Sequence, residues 1–353
     1  MFSAQIQGRS TIRWGIIGCG DVTEIKSGPG FQKAAGSALV AVMRRNAGQA
    51  ADYARRHGVP RWYDNADALI SDAEVDAVYV ATHPETHAHY AEMVAAAGKP
   101  AYVEKPMARQ VAECDRMIEA FARAQQKLFV AFYRRCLPRF VQVQQLLADG
   151  ALGQPTEVRC RWAAPNHRDA GGAWRLDATK SGGGLFLDLG SHALDLLDHL
   201  LGPLTNVAGL AANLATDQEV EDHVAMSFLT ATGVPGTAVW NFASAAREDL
   251  LEIGGTDGRL SCSVFGNEAL RLENATGVQT LERPNPPHVQ QPLIQTVVDE
   301  LLGRGTCPST GESARRTSRV MDTVLTGYYG GRDDKFWLRP GTWPGRRRSQ
   351  TQP

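Results

Sequence analysis

Short apolar runs alternate with amphipathic stretches through the first third of the chain, which predicts βαβ units and a parallel sheet. Ile12 to Ile17, Ala38 to Met43, Val75 to Ala81, Ala101 to Glu104 and Leu128 to Tyr133 have the composition of buried strands. Residues 47–57, 86–97 and 108–124 have helical spacing; Gly58 stops the first, and Gly98 with Pro100 stops the second. Near Arg134 to Pro138 the alternation ends. A helix at 139–148, a strand at 156–163 and a strongly amphipathic helix at 184–201 are predicted next. From Thr205 to about Leu272 several β-type segments follow one another with glycine-bearing turns, the pattern of a largely antiparallel sheet. Helices near 292–302 and 309–326 complete the pattern. The expected class is α/β. A parallel-sheet domain spans residues 11–134, an α+β domain with a large, mostly antiparallel open sheet spans 135–335, and a tail covers 336–353.

Composition narrows the function classes. A chain of 353 residues is too long for one ordinary core, and 43% hydrophobic with 21% charged residues is globular. A net charge of −1 supplies no positive field for nucleic acid or an anionic membrane, so neither is an expected partner. The one basic run, Arg346 to Arg348, is expected to be a solvated terminus. No stretch of about 18 apolar residues occurs, and Met1 to Arg9 lacks the apolar core of a signal peptide. Six cysteines stand singly, without CxxC spacing, so a reducing cytoplasm is the expected location.

Gly18-Cys19-Gly20-Asp21-Val22-Thr23 follows the first strand and holds two of the three glycines of a GxGxxG fingerprint. The first glycine permits a tight turn, and the second lets the backbone approach a pyrophosphate at a helix N-terminus. Thr23, at the third position, either loosens helix packing slightly or supplies a hydroxyl. The second strand ends in Met43-Arg44-Arg45-Asn46, where an NAD site usually has Asp or Glu for the ribose hydroxyls. Two guanidinium groups suit a 2′-phosphate, so NADP is the preferred cofactor and NAD the alternative.

Glu104-Lys105-Pro106 ends the fifth strand, at the carboxyl edge where ligands of open α/β sheets bind. Lys105 there would polarise a carbonyl or stabilise an alkoxide, and a cis Lys105–Pro106 bond is expected. Asp188 and His192 are four apart on one helix, close to Gly182-Gly183-Gly184. An imidazole oriented by a carboxylate can exchange a proton near neutral pH; a buried structural pair is the alternative. His83, His87 and His89 cluster after the fourth strand without a matching carboxylate set, so no metal is expected.

These elements in this order resemble the Gfo/Idh/MocA oxidoreductases, over roughly residues 11 to 330. The resemblance implies a Rossmann domain followed by a substrate-binding and oligomerisation domain. It implies that Lys105, His192 and Asp188 are catalytic, the acid/base duty falling to Lys105 or His192. It places Lys105 beside the nicotinamide; with the loop residues Gly18, Cys19, Gly20, Asp21 and Val22, the strand-end Arg44 and Arg45, and Glu104, it completes the expected dinucleotide contacts. Thr82, His83 and His87 resemble the family's loop beside the nicotinamide ribose. Trp174-Arg175 resembles a pair that reaches toward nicotinamide and substrate in the NADP-dependent anhydrofructose reductase branch. The implied activity is hydride transfer to or from a carbohydrate-like small molecule, in a homodimer or homotetramer joined through the C-terminal sheet. A redox-assisted glycosidase, a sugar-sensing regulator without turnover, and dihydrodiol or biliverdin reduction are the rival activities of such a scaffold. Thr23 departs from the fingerprint, and Arg44 departs from NAD-dependent members.

Overall fold

The computed structural model describes residues 8–165 and 173–346. The chain divides into two compact units. One comprises the chain up to Ala108, Glu113–Leu137 and Pro286–Arg315; the other comprises Arg109–Ala112, Pro138–Asn285 and the chain from Arg316 onward.

The first unit is built on six parallel strands: β1 (Ile12–Ile17), β2 (Ser37–Met43), β3 (Arg61–Tyr63), β4 (Ala77–Val80), β5 (Ala101–Val103) and β6 (Leu128–Val130). Their order, β3-β2-β1-β4-β5-β6, reverses between β1 and β4, and ligands of doubly wound sheets bind at such a reversal. Helices α1 (Asp21–Ile25), α2 (Gly28–Lys33), α3 (Ala47–His57), α4 (Ala66–Ser71), α5 (Pro84–Ala96) and α6 (Val111–Arg123) make the crossovers. Because side chains alternate along a strand, the sheet has two different faces. One is aliphatic: Ile17, Val78, Val80, Val103 and Val130 cluster with Leu69, Ala91, Val94 and Phe121. The other is aromatic: Phe31 of α2 sits 4.8 Å from Trp14 and 5.2 Å from Tyr79, which is 5.2 Å from Tyr102. The sequence pattern misses β3 and α4. A three-residue strand that is not fully buried gives no apolar run, and a six-residue helix gives barely one period. The sixth strand is shorter than expected, because the chain enters a 3₁₀ turn at Tyr133–Cys136.

The second unit contains α7 (Pro138–Ala148), β7 (Pro155–Ala163), α8 (Ala178–Ser181), a π-helical turn (Phe186–Gly190) and α9 (Ser191–Leu201). Then follow β8 (Thr205–Ala212), β9 (His223–Leu229), β10 (Pro235–Asn241), β11 (Glu248–Gly255), β12 (Gly258–Cys262), β13 (Leu270–Asn274) and β14 (Gly277–Leu281). The eight strands are ordered β14-β13-β12-β11-β7-β10-β9-β8. All pairs are antiparallel except β7 with β10, where β7 comes from far earlier in the chain. Val158, Cys160, Val224, Phe228, Trp240, Leu251 and Ile253 are buried on the inward face, where Phe186 meets Trp240 at 4.9 Å. Arg159 and Arg161 point outward.

Two expectations about domain limits need revision. Residues 286–315 belong with the first sheet, although they follow the second. Right-handed crossovers carry α4 to α6 to the aliphatic face, so the aromatic face beside β4 and β5 needs a helix from elsewhere. Helix α10 (Gln291–Leu301) returns to this unit: it packs against α2 and the 3₁₀ turn at Tyr133–Cys136, Leu293, Ile294, Val297 and Val298 are buried, and Gln290 just before it bonds Tyr102 and Glu104. After it, α11 (Gly311–Tyr329) leads into the second unit. The segment expected as a tail from 336 is also part of that unit as far as Arg346. Phe336 and Trp343 each lie with ring centroids 4.7 Å from Tyr329, the first tilted and the second edge-on, and all three are buried. Irregular spacing of aromatics among Pro, Gly and Arg conceals such packing from a periodicity argument. Arg346 pairs with Glu219, while Arg347 and Arg348 lie outside the described residues.

Candidate functional site

The glycine turn after β1 is held by short-range contacts. Gly18 has φ +92°, and a Cβ there would stand 3.0 Å from the Ala81 backbone and 2.8 Å from Thr82 Cγ2, so only glycine fits. The Gly18 and Cys19 amides donate to the Met43 carbonyl at 2.9 and 3.2 Å. The Thr23 hydroxyl donates to the Gly20 carbonyl at 2.7 Å and accepts from the Gly20 amide at 3.0 Å. It thus caps the loop where the fingerprint has its third glycine, and does so fully buried. Next to it lies open space, since a Cβ on Gly20 would find nothing closer than the Gly18 carbonyl at 3.9 Å. A backbone that bare, leading into the first-turn amides of Asp21 and Val22, fits a dinucleotide pyrophosphate. The Cys19 side chain does not face that space: it is buried, and burial pushes its thiol up to about 11.

Around this turn stand the other residues expected at a cofactor. Arg44 and Arg45 are exposed at the end of β2, and Asn46 caps α3 by accepting from the Gln49 amide at 3.0 Å. Thr82 is half-buried after β4 and accepts from the Thr86 hydroxyl at 2.8 Å, while His83 is exposed. Glu104 and His87, also expected at the cofactor, are buried and hydrogen-bonded to neighbouring parts of the same unit. Glu104 Oε1 accepts from the Tyr79 hydroxyl and the Gln290 amide, both at 2.6 Å, and Oε2 accepts from the Lys105 amide at 3.1 Å. His87 is fully buried, with Nδ1 3.0 Å from the Pro106 carbonyl and Nε2 3.0 Å from the Thr82 carbonyl. Burial lowers its pKa. Lys105 is half-buried, and its bond to Pro106 is cis.

In the second unit, Trp174, Arg175 and Asp188 come together. The Arg175 guanidinium carbon lies 4.4 Å from the Trp174 ring, and Nε donates to Asp188 Oδ2 at 2.9 Å. Asp188 lies in the π turn that opens into α9, and His192 is in the first turn of α9, buried 6.2 Å from the Phe265 ring. Arg175 therefore shares the carboxylate that the sequence assigns to orienting His192. Lys105 belongs to the first unit, Asp188 and His192 to the second.

Ahead of Asp188, Gly182 to Gly184 are held by residues that no motif identifies. The Gly184 amide donates to Glu221 Oε1 at 2.9 Å, and Tyr329 donates its hydroxyl to Glu221 Oε2. A Cβ on Gly184 would lie 2.5 Å from the Glu221 carbonyl oxygen. Glu221 is fully buried and its carboxyl is pushed above the usual range by that burial. Arg332 Nη1 donates to the Gly182 carbonyl at 2.8 Å. Three successive glycines were the one signal available, since they imply that something approaches closely. Among the described residues no group of three or more His, Cys, Asp or Glu could hold a metal ion, and no helix is long and apolar enough to cross a membrane.

Comparison with known proteins agrees with this layout. The family model described as an oxidoreductase family with an NAD-binding Rossmann fold matches residues 12–132. That of the GFO/IDH/MocA C-terminal domain matches residues 140–261. The chain is 37% identical to oxidoreductase P35 of Formosa agariphila over 319 residues, 89% of this chain and 98% of that protein. It is 28% identical to the 1,5-anhydro-D-fructose reductase of Ensifer adhaerens over 312 residues, covering 85% and 91% of the two. Among solved structures, aldose-aldose oxidoreductase from Caulobacter crescentus, complexed with glycerol, superimposes with a TM-score of 0.81 at 25% identity, covering 91% and 98%. With both halves matched and a relative aligned along nearly its whole length, the chain belongs to the Gfo/Idh/MocA family of oxidoreductases and carries its NAD-binding Rossmann domain.

Proposed function

We propose that this oxidoreductase interconverts a carbonyl and a hydroxyl on a carbohydrate-like small molecule, using NADP in preference to NAD. One observation carries the proposal: a bare Gly20 backbone at the reversal of a parallel sheet, with Arg44 and Arg45 exposed at the neighbouring strand end. The Asp21 and Val22 amides would hold the pyrophosphate where Gly18 shapes the turn and the bare Gly20 lets it approach, and the two arginines the 2′-phosphate. Thr82, His83 and the Trp174-Arg175 pair would line the nicotinamide end. When bound, the nicotinamide supplies or accepts a hydride at C4. Lys105 donates a hydrogen bond to the substrate oxygen and stabilises negative charge there. His192 exchanges the hydroxyl proton, and Asp188, already engaged by Arg175, bonds a substrate hydroxyl or orients His192. The names of relatives support a sugar-type substrate, since one reduces 1,5-anhydro-D-fructose and another is an aldose-aldose oxidoreductase. Six free cysteines support a reducing cytoplasmic location. The outward face of the large sheet, with Leu210 80% and Val239 37% exposed, supports a homodimer or homotetramer formed through it.

The test is an absorbance assay with NADPH and NADH against a panel of ketoses and osones. Lys105→Met is expected to lower turnover by about 10² to 10⁴-fold and leave NADPH affinity nearly intact. Arg44→Ser is expected to weaken NADPH by about 10 to 10²-fold and spare NADH. Unchanged turnover in the first variant removes the role of Lys105. Sugar release without net cofactor consumption would mark a glycosidase, and binding without turnover a sensor.

A further inference from the structure

One buried cation outside the proposed chemistry is bonded to both backbone segments that adjoin its motifs. The Arg332 side chain is 1% exposed. Its Nη2 donates to the Arg109 carbonyl at 2.7 Å, Nη1 to the Gly182 carbonyl at 2.8 Å and Nε to Asp322 Oδ1 at 2.6 Å. Asp322 Oδ2 in turn accepts from the Val111 amide at 2.8 Å. The ion pair therefore grips residues 109 to 111 by a carbonyl and an amide, and Gly182 by its carbonyl. The guanidinium carbon lies 4.4 Å from the Phe336 ring and 5.1 Å from the Tyr329 ring. The gripped segments also touch directly: a Cβ on Gly182 would come within 2.6 Å of the Arg109 carbonyl oxygen, and Arg109 Nη1 donates to the Thr179 carbonyl at 2.8 Å. Arg109 is four residues past Lys105, and Gly182 is six before Asp188.

We infer that Arg332 is a positioning residue, whose planar fork fixes the carbonyls of Arg109 and Gly182 and so the backbone adjoining the Lys105 and Asp188 motifs. This deepens the proposed oxidoreductase function and rests on it for its catalytic consequence. A guanidinium can meet two carbonyls and a carboxylate in one plane, whereas an ammonium is a point charge without that fixed geometry. Displacing reactive groups by about 1 Å is enough to cost about 10²-fold in rate.

The test compares Arg332→Lys with the unaltered chain. Lysine retains the charge beside Asp322 but lacks the fork. Hydrogen exchange is expected to quicken by about 10-fold or more at the amides of residues 109–112 and 180–184, and to stay within about 2-fold elsewhere. Turnover is expected to fall by about 10²-fold, with KM and NADPH affinity within about 2-fold. Unaltered exchange in the two segments, or loosening spread evenly along the chain, overturns the inference. Loosened segments with unaltered turnover overturn it too. Failure of the unaltered chain to oxidise or reduce any carbohydrate would instead strike the proposed function, while the exchange map still reads the grip itself. If Arg332→Lys yields no folded protein, the isosteric Asp322→Asn is expected to loosen the same two segments to a smaller degree, and unaltered exchange there overturns the inference equally.

Discussion

The two glycine turns, one in each unit, draw on support from different distances along the chain. The Gly18–Gly20 turn takes its support from Thr23, three residues along, and from the carbonyl of Met43 on the adjacent strand. The Gly182–Gly184 turn has local bonds too, from the Gly182 amide to the Ala178 carbonyl and between Ser181 and Gly183, but adds Glu221, Tyr329 and Arg332, between 37 and 150 residues further along the chain. In the first turn Gly18 fits against Ala81 and Thr82, while Gly20 borders open space. In the second, glycine makes room for the protein itself. Support from nearby residues, such as Thr23, can leave a motif in the sequence, whereas support from afar, such as Glu221 and Arg332, leaves only the small residues it holds.

Placing alanine in both turns puts the largest strain on this contrast. In Gly184→Ala the new methyl meets the Glu221 backbone oxygen at 2.5 Å, and a backbone atom cannot swing away. The expected loss is about 1–3 kcal/mol of stability, read from the shift of the urea midpoint. In Gly20→Ala the methyl meets nothing within 3.9 Å, so stability is expected to hold within about 0.5 kcal/mol while dinucleotide affinity falls. Equal losses of stability in the two variants would erase the distinction.

Thr23→Val probes the local support alone. The side chain keeps its shape and loses the hydroxyl that caps Gly20, at an expected cost of about 1 kcal/mol and a lowered melting temperature. The smallest effect is expected at Glu24, on the same short helix. Its hydrogen bond to Arg56, then that to His57, hold its carboxyl at about 2, against an ordinary 4.5. A depressed value in the folded state means a contribution fully present above pH 4.5 and lost as pH falls toward 2. Melting temperatures of the unaltered chain and Glu24→Gln should therefore differ modestly at pH 6 and converge in acid. The side chain is 32% exposed, so solvent screening keeps the gap small. A gap that widened on acidification would reverse the sign of this contribution.

Legibility followed the same line between local and distant support. Buried parallel strands announce themselves as apolar runs, so β1, β2, β4 and β5 stand out, while three-residue β3 does not. Glu104 and His87 were readable as motif members but not as supports, because a polar residue facing a ligand and one buried against carbonyls are spelled alike. The π turn at Phe186–Gly190 was also hidden: a 3.6-residue period runs through Leu185 to Leu201 almost unbroken, though the backbone widens for one turn. Arg332 and Glu221 had no signal of their own, since each is meaningful only beside a partner that folding brings to it.

The return of residues 286–315 to the first sheet has a consequence for how the molecule is made. A ribosome releases all six parallel strands long before it reaches Gln290, so Tyr102 emerges without the side chain that its buried hydroxyl bonds at 3.1 Å in the finished protein. The buried carboxylate of Glu104 likewise waits for the amide of Gln290. A nascent chain arrested before that point would hold only half of a buried polar network and would leave α2 without the apolar face of α10, which makes it a natural client for chaperones.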